Sequence, residues 1–382
     1  MPRHIKDEIF MNRCLELALQ GKGQVAPNPM VGALLVHNGR IIGEGFHQAY
    51  GQAHAEPNAV KNIVPGTQIE KSTLYVNLEP CSHHGKTPPC AGLIVDMNIP
   101  SVVIGTADPN PLVSGNGIKF LRESGIEVRV GILEDKCRDL NKRFFTFHLR
   151  KRPWVILKWA RSADGFIDLV RDPDAPIGPN WITSPIARTL VHKWRTEEQA
   201  ILVGTNTVIK DDPRLNVRYW SGRNPVRVVI DRSLKLDSHH HVFDNTQDTI
   251  VFTTGMQADA ANGKPGMTAE KDSADLSVEH EINYETSGKP KTVYKEITFN
   301  DTAELQMMEA LYNSNIQSVI IEGGAFTLNR FIKHGLWDEA RIFTGPAYFK
   351  NGIRSPYITG NKTGNGMIGN SHLEIIYNTV SG

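Results

Sequence analysis

His54-Ala55-Glu56, Pro80-Cys81 and Cys90 supply one imidazole, one carboxylate and two thiols. One histidine and two cysteines suit zinc, and a set of three protein ligands leaves the fourth tetrahedral position open, as catalysis needs. A metal held this way lowers the pKa of its water toward ~7. Glu56, two residues from His54, is then placed to move the water's proton to a ring nitrogen and on to departing ammonia. H-x-E…P-C-x-x-C is the pattern of zinc-dependent base deamination, with the glutamate outside the ligand set. In this chain eight residues, SHHGKTPP, separate Cys81 from Cys90. A structural zinc knuckle with a surface Glu56 is the plainer alternative, and the HAE and PC contexts weigh against it.

Prolines locate the elements that must hold this set. Pro57 is tolerated only in the first turn of a helix, so a helix begins about where His54 and Glu56 stand. Pro88-Pro89 puts Cys90 at another helix start, where the helix dipole favours a thiolate. Apolar runs at 31–36 and 40–43 flank Asn38-Gly39 as a hairpin. Strands are expected at 73–78, 101–105 and 127–130, alternating with helices, which implies a largely parallel α/β sheet covered on both faces. The basic stretch FFTFHLRKRP reads as a connection ending at Pro153, so the expected domains are 1–148 and 153–382.

The second half restarts the alternation. Strands are expected at 154–159, 200–203, 226–230, 249–253, 318–321 and 339–343, with helices at 185–195, 302–314 and 326–334 and antiparallel pairing near the C-terminus. Residues 257–294 are polar and read as a solvated insertion with little fixed structure. Ile320-Ile321-Glu322 followed by Gly323-Gly324 and a helix is a strand, turn and helix start of the kind that offers backbone amides to a dinucleotide's phosphates. His239-His240-His241 reads as solvated loop, because adjacent histidines cannot all face one ion.

A chain of 382 residues favours two domains. With 42 basic against 41 acidic residues and a net charge of +1, nothing marks a nucleic-acid partner. No apolar run approaches membrane-spanning length and the N-terminal residues carry charges where a signal peptide needs an apolar core, so a soluble cytoplasmic protein is expected. The four cysteines form no disulfide framework.

PNPMVGA at 27–33, HAE at 54–56 and PCSHHGKTPPC at 80–90 resemble the deaminase half of the bifunctional riboflavin-biosynthesis deaminase/reductase family. KWARSADGF at 158–166, WITSPIARTLVHKWR at 181–195, ILVGTNTVIKDDPRLNVR at 201–218 and IIEGGAFTLNRF at 320–331 resemble its reductase half. The resemblance implies an α/β fold: an N-terminal cytidine-deaminase-like three-layer sandwich plus a C-terminal dihydrofolate-reductase-like domain. It implies zinc on His54, Cys81 and Cys90, with Glu56 catalytic. Asn28, His47, His83, Lys86 and Thr87 would hold the substrate, 2,5-diamino-6-(ribosylamino)-4(3H)-pyrimidinone 5′-phosphate.

In the second half, the resemblance implies hydride transfer from NADPH to C1′ of the ribosylamino group, opening it to ribityl. Lys158 and Asp211 would be the catalytic candidates. Ala160, Trp181, Thr207, Asp211, Gly324, Ala325, Phe326, Thr327, Leu328, Asn329 and Arg330 would surround the cofactor. Arg195, Leu215, Arg218 and Glu322 would hold the reductase substrate, arginine suiting a phosphate through paired charge-assisted bonds.

The chain departs from the family pattern in three places. Pro57-Asn58 stands where Val-His is common, the run from Gly165 to Trp181 is longer and Pro-rich, and Pro179 replaces a common serine. Two other readings remain open: a zinc-dependent nucleic-acid base deaminase, opposed by the neutral charge and long Cys spacing, and a non-catalytic zinc-stabilised scaffold. A small-molecule partner is expected, and homo-oligomerisation is left open.

Overall fold

The computed structural model describes residues 3–82, 88–111, 113–172, 174–255 and 290–379. The chain divides into two compact units, residues 1–152 and 153–382.

Unit one contains α1 (Arg3–Leu19), β1 (Gly32–His37), β2 (Arg40–Phe46), α2 (Ala55–Lys61), β3 (Thr73–Leu78), α3 (Cys90–Asp96), β4 (Ser101–Thr106), α4 (Asn116–Glu123), β5 (Glu127–Val130), α5 (Glu134–Leu140) and α6 (Lys142–Arg150). The sheet order is β2-β1-β3-β4-β5. β1 runs antiparallel to β2 and β3, whereas β3, β4 and β5 are parallel. Alternate β1 side chains explain the three layers. Ala33 and Leu35 pack with residues of α2, α3 and α4, and Leu34 and Val36 pack with Met11, Cys14 and Leu17 of α1.

Two glycines bring the site helix close. A Cβ on Gly43 would stand 2.5 Å from the Ala59 carbonyl oxygen, and one on Gly45 would stand 2.4 Å from the Ala59 nitrogen. Helix α2 therefore rests directly on β2, which sets the depth of His54 and Glu56. The FFTFHLR stretch, expected as a connection, instead forms α6 and buries Phe144, Phe145 and Phe147. Phe144 and Phe145 pack with Leu78, the last residue of β3, and burying a large apolar side chain is worth about 1.5–3 kcal/mol, which a solvated connection would forgo.

Unit two contains β6 (Trp154–Arg161), β7 (Phe166–Asp168), α7 (Pro185–Glu197), β8 (Ala200–Gly204), α8 (Thr205–Asp211), β9 (Val226–Ile230), β10 (Thr249–Thr253), β11 (Thr292–Glu296), α9 (Ala303–Asn313), β12 (Ser318–Ile321), α10 (Ala325–Lys333), β13 (Glu339–Thr344), β14 (Ile353–Arg354), β15 (Asn361–Ile368) and β16 (Ser371–Tyr377). The large sheet has the order β11-β10-β9-β8-β12-β6-β13-β16-β15. Its pairs are parallel from β11 through β13, then antiparallel across β16 and β15.

On β6, Val155 and Leu157 face one apolar cluster and Ile156 the other, so both faces are covered. That is why this strand reads as a continuous apolar run. Residues 292–294, expected to belong to the polar insertion, form part of β11 and pair in parallel register with β10. Residues 256–289 lie outside the described set.

Candidate functional site

β3 ends at Leu78, and Glu79-Pro80-Cys81 follows directly, while His54 and Cys90 stand at the starts of α2 and α3. His54 has extended backbone (φ −70°, ψ 177°), which turns its ring toward the thiols. Its Nδ1 lies 3.6 Å from Cys81 Sγ and 3.4 Å from Cys90 Sγ, and the three donor atoms fall within 4.8 Å of one another. This is the only such group of metal-ligating side chains among the described residues. The hydrogen bond from Cys90 pushes the Cys81 thiol down. One imidazole nitrogen and two sulfurs at this spacing fit a zinc ion.

Glu56 is 3% exposed, and its Oε2 is buried without a hydrogen-bond partner. Burial pushes its carboxyl up. A buried oxygen left unsatisfied beside a metal-type donor set is the arrangement a proton carrier needs, since it takes a partner only when the site is filled. Glu56, His54 and Cys81 line a cavity of about 260 Å³ together with Asn28 and His47. The Ala53 carbonyl can only accept, so His47 carries its proton on Nδ1 (3.0 Å) and accepts from Asn28 Nδ2 at Nε2 (3.1 Å). Burial pushes His47 down, favouring this neutral form. His83, Lys86 and Thr87 lie outside the described residues.

The same cavity is lined by Glu79, Asp108 and Asn110, which sequence reasoning missed. Glu79 Oε2 accepts the backbone N–H groups of Asp108 (3.1 Å) and Gly115 (3.0 Å), and Oε1 accepts those of Gly117 (2.9 Å) and Ile118 (3.1 Å). One carboxylate thus fastens the segment carrying Asp108 and Asn110 to the strand end carrying Cys81. Asp108 is pushed up to about 7 by burial, with Glu79 and Cys81 adding to the effect. Asp-Pro-Asn following a strand was the available signal.

The second unit holds a cleft of about 1270 Å³. Two glycines shape its floor: a Cβ on Gly323 would stand 2.8 Å from Thr327 Cβ, and one on Gly204 would stand 2.9 Å from Thr327 Oγ1. Backbone therefore reaches the start of α10 without side chains in the way, a cradle that fits a dinucleotide's phosphates. Ala160, Trp181, Thr207 and Asp211 line the cleft. So do Gly324, Ala325, Phe326, Thr327 and Arg330.

Leu328 and Asn329 do not line it. Leu328 is fully buried in the core beside Phe331, and Asn329 is exposed on another side of α10. At 3.6 residues per turn, six consecutive helical residues cannot share one face. Arg330 is committed to Glu304 through Nε–Oε1 (2.7 Å) and Nη2–Oε2 (2.9 Å) bonds.

Lys158, Arg195, Arg218, Leu215 and Glu322 line the cleft as well. Arg195 Nη2 donates to Glu322 Oε2 at 2.8 Å, and Lys158 Nζ is 3.8 Å from the same oxygen. Burial alone would push Glu322 up, but the Arg195 and Lys158 charges outweigh it and hold Glu322 at about 2. Burial pushes Lys158 down, and Glu322 opposes this. Leu215 is 1% exposed, packed with Ile201, Val203 and Val208. Asp211 Oδ1 accepts from Arg171 at 2.8 Å.

Sequence reasoning missed His192, Asp168 and Arg171 in this cleft. His192 precedes Arg195 by one helical turn, and its Nδ1 accepts the Arg218 N–H at 3.0 Å. His241 pairs with Asp212 at 2.6 Å, while His239 and His240 surround Asp237.

Residues 4–106 match the cytidine and deoxycytidylate deaminase zinc-binding region, and residues 153–363 match the RibD C-terminal domain. The chain is 37% identical over 350 residues to riboflavin biosynthesis protein RibD of Aquifex aeolicus, covering 91% of this chain and 89% of that protein. It is 32% identical over 359 residues to RibD of Escherichia coli, covering 90% and 88%. Among solved structures, it is similar to a diaminohydroxyphosphoribosylaminopyrimidine deaminase/5-amino-6-(5-phosphoribosylamino)uracil reductase from Thermotoga maritima (TM-score 0.78, 35% identity, 99% of this chain and 100% of that one). It is likewise similar to Acinetobacter baumannii RibD (TM-score 0.81, 30% identity, 99% and 100%). A zinc-type His/Cys/Cys group in an N-terminal deaminase domain, followed by a dihydrofolate-reductase-like domain of the kind that uses NAD(P)H, places this chain in the RibD family of bifunctional deaminase/reductases of riboflavin biosynthesis.

Proposed function

We propose that the first unit deaminates a diaminopyrimidine ribotide and that the second reduces the product's ribosyl group to ribityl with NADPH. The observation carrying this reading is the buried, unpartnered Glu56 Oε2 beside the His54, Cys81 and Cys90 group. Bound zinc would supply the Lewis acidity that activates water, and bound NADPH would supply the hydride. Water adds to the amino-bearing ring carbon while Glu56 passes its first proton to the ring nitrogen. Glu56 then takes the second proton from the added hydroxyl and delivers it to the departing ammonia as the carbonyl forms and the C–N bond breaks. His47 and Asn28 orient the ring, and His83, Lys86 and Thr87 grip the ribose phosphate. In the cleft, Arg195 and Arg218 attract the phosphate, and Lys158, paired with Glu322, polarises the sugar at the carbon being reduced. The cytoplasm, where a soluble phosphorylated intermediate is available, is the working compartment.

The test is incubation of the purified protein with the diaminopyrimidine ribotide, with and without NADPH. Ammonia release without NADPH and a further reduced product with it are the expected outcomes. Glu56→Gln should retain zinc by metal analysis yet lose ammonia release by on the order of 10³-fold. A fully active Glu56→Gln variant would remove Glu56 from the mechanism.

A further inference from the structure

Arg171 stands at one wall of the reductase cleft and has no part in the chemistry above. It follows β7, with its side chain 10% exposed. Nη1 donates to the carbonyls of Gly178 (2.7 Å) and Lys210 (3.0 Å), and Nη2 donates to Asp168 Oδ1 (3.1 Å) and Asp211 Oδ1 (2.8 Å). Two bonds run beside these: the Gly178 N–H to the Lys210 carbonyl at 2.9 Å, and Asn180 Nδ2 to Asp168 Oδ1 at 2.7 Å. One side chain therefore joins the end of β7, residues 174–181 and the last turn of α8. Arg171, Asp168, Asn180, Lys210 and Asp211 all line the cleft.

This tie lies in the run from Gly165 to Trp181. Arginine is the residue the geometry requires. A planar fork reaches carbonyls with one nitrogen and carboxylates with the other, whereas a lysine ammonium is a single point. With Oδ1 committed to Arg171, the orientation of the Asp211 carboxylate is fixed, and Oδ2 is left to accept from a ligand hydroxyl, the group a ribose offers.

We propose that Arg171 is a positioning residue of the reductase half, fixing Asp211 as a hydroxyl acceptor for the ribose-bearing cofactor. The proposal rests on the reading of Asp211 as a cofactor residue.

The experiment uses the full-length protein as wild type, Arg171→Met, Asp211→Asn and the double variant. NADPH affinity is read by fluorescence titration, reductase KM and kcat by steady-state assay, and deaminase activity serves as an internal control in the other unit. Arg171→Met should weaken NADPH binding about tenfold with kcat changed much less, and Asp211→Asn should weaken NADPH binding at least as much. The double variant should bind no worse than Asp211→Asn, because the two substitutions remove one interaction. Arg171→Lys should restore affinity only in part, and it replaces Arg171→Met in every comparison if that variant fails to fold.

Weakened binding in Asp211→Asn with wild-type binding in Arg171→Met overturns the proposal and leaves the Asp211 reading standing. Wild-type binding in both removes the Asp211 reading and the proposal with it. Weakened binding in Arg171→Met alone shows Arg171 acting without Asp211 and also overturns it.

Discussion

His192 shows how a single side chain registers its surroundings. Burial pushes it down to about 4, and the Arg195 and Arg218 charges push the same way, with Lys158 adding to them and Glu322 opposing. In the unfolded chain the imidazole returns to its ordinary value of 6.5, so acid lets the unfolded state bind a proton that the folded state refuses. His192 thus contributes stability that is present above pH 6.5 and is lost as pH falls from 6.5 toward about 4. His192→Gln, which keeps an acceptor for the Arg218 N–H, should flatten the fall in urea midpoint across that interval. An unchanged pH profile in the variant would show that His192 does not titrate in this way. The residue types of the first site were legible in HAE and PC, but the pairing of Arg195 with Glu322 was not, because 127 positions separate them.

At the scale of elements, both sites sit where a strand ends and a helix begins. Pro57 and Pro88-Pro89 announced two of those helix starts in the sequence, and the structure has α2 and α3 there. What holds the neighbouring segment was silent. Glu79 follows β3 immediately, and its four backbone N–H partners lie at positions 108–118. Glu79→Gln keeps one oxygen but turns an NH2 group toward two N–H donors, so the loss should be on the order of 3 kcal/mol in urea unfolding. Because that segment carries Asp108 and Asn110, deaminase KM should rise as well. A variant with wild-type stability and KM would show that Glu79 does not hold the segment.

At the scale of the whole molecule, the two units carry different chemistry on different cofactors. The described residues hold one group suited to a metal, and it lies in the first unit. Prolonged chelation should therefore abolish ammonia release while NADPH titration of the second unit stays unchanged, and added zinc should restore deamination. Loss of NADPH binding on chelation would contradict this separation. None of the described helices is long and apolar enough to cross a membrane.

The sequence by itself determined the periodic elements, the helix starts marked by proline and the residue types of the zinc-type group, because each depends on neighbours a few positions away. The strand Thr73–Leu78 and the HAE helix start are of this kind. Tertiary structure alone decided β11, whose polar residues show no apolar run and whose strand character comes from backbone bonds to β10. It alone turned Leu328 into the core, and it alone brought Arg171 to Asp211 across 40 positions. The reason is common to all three. A hydrogen-bond partner or a packing face contributed by a distant segment leaves no period in the local sequence.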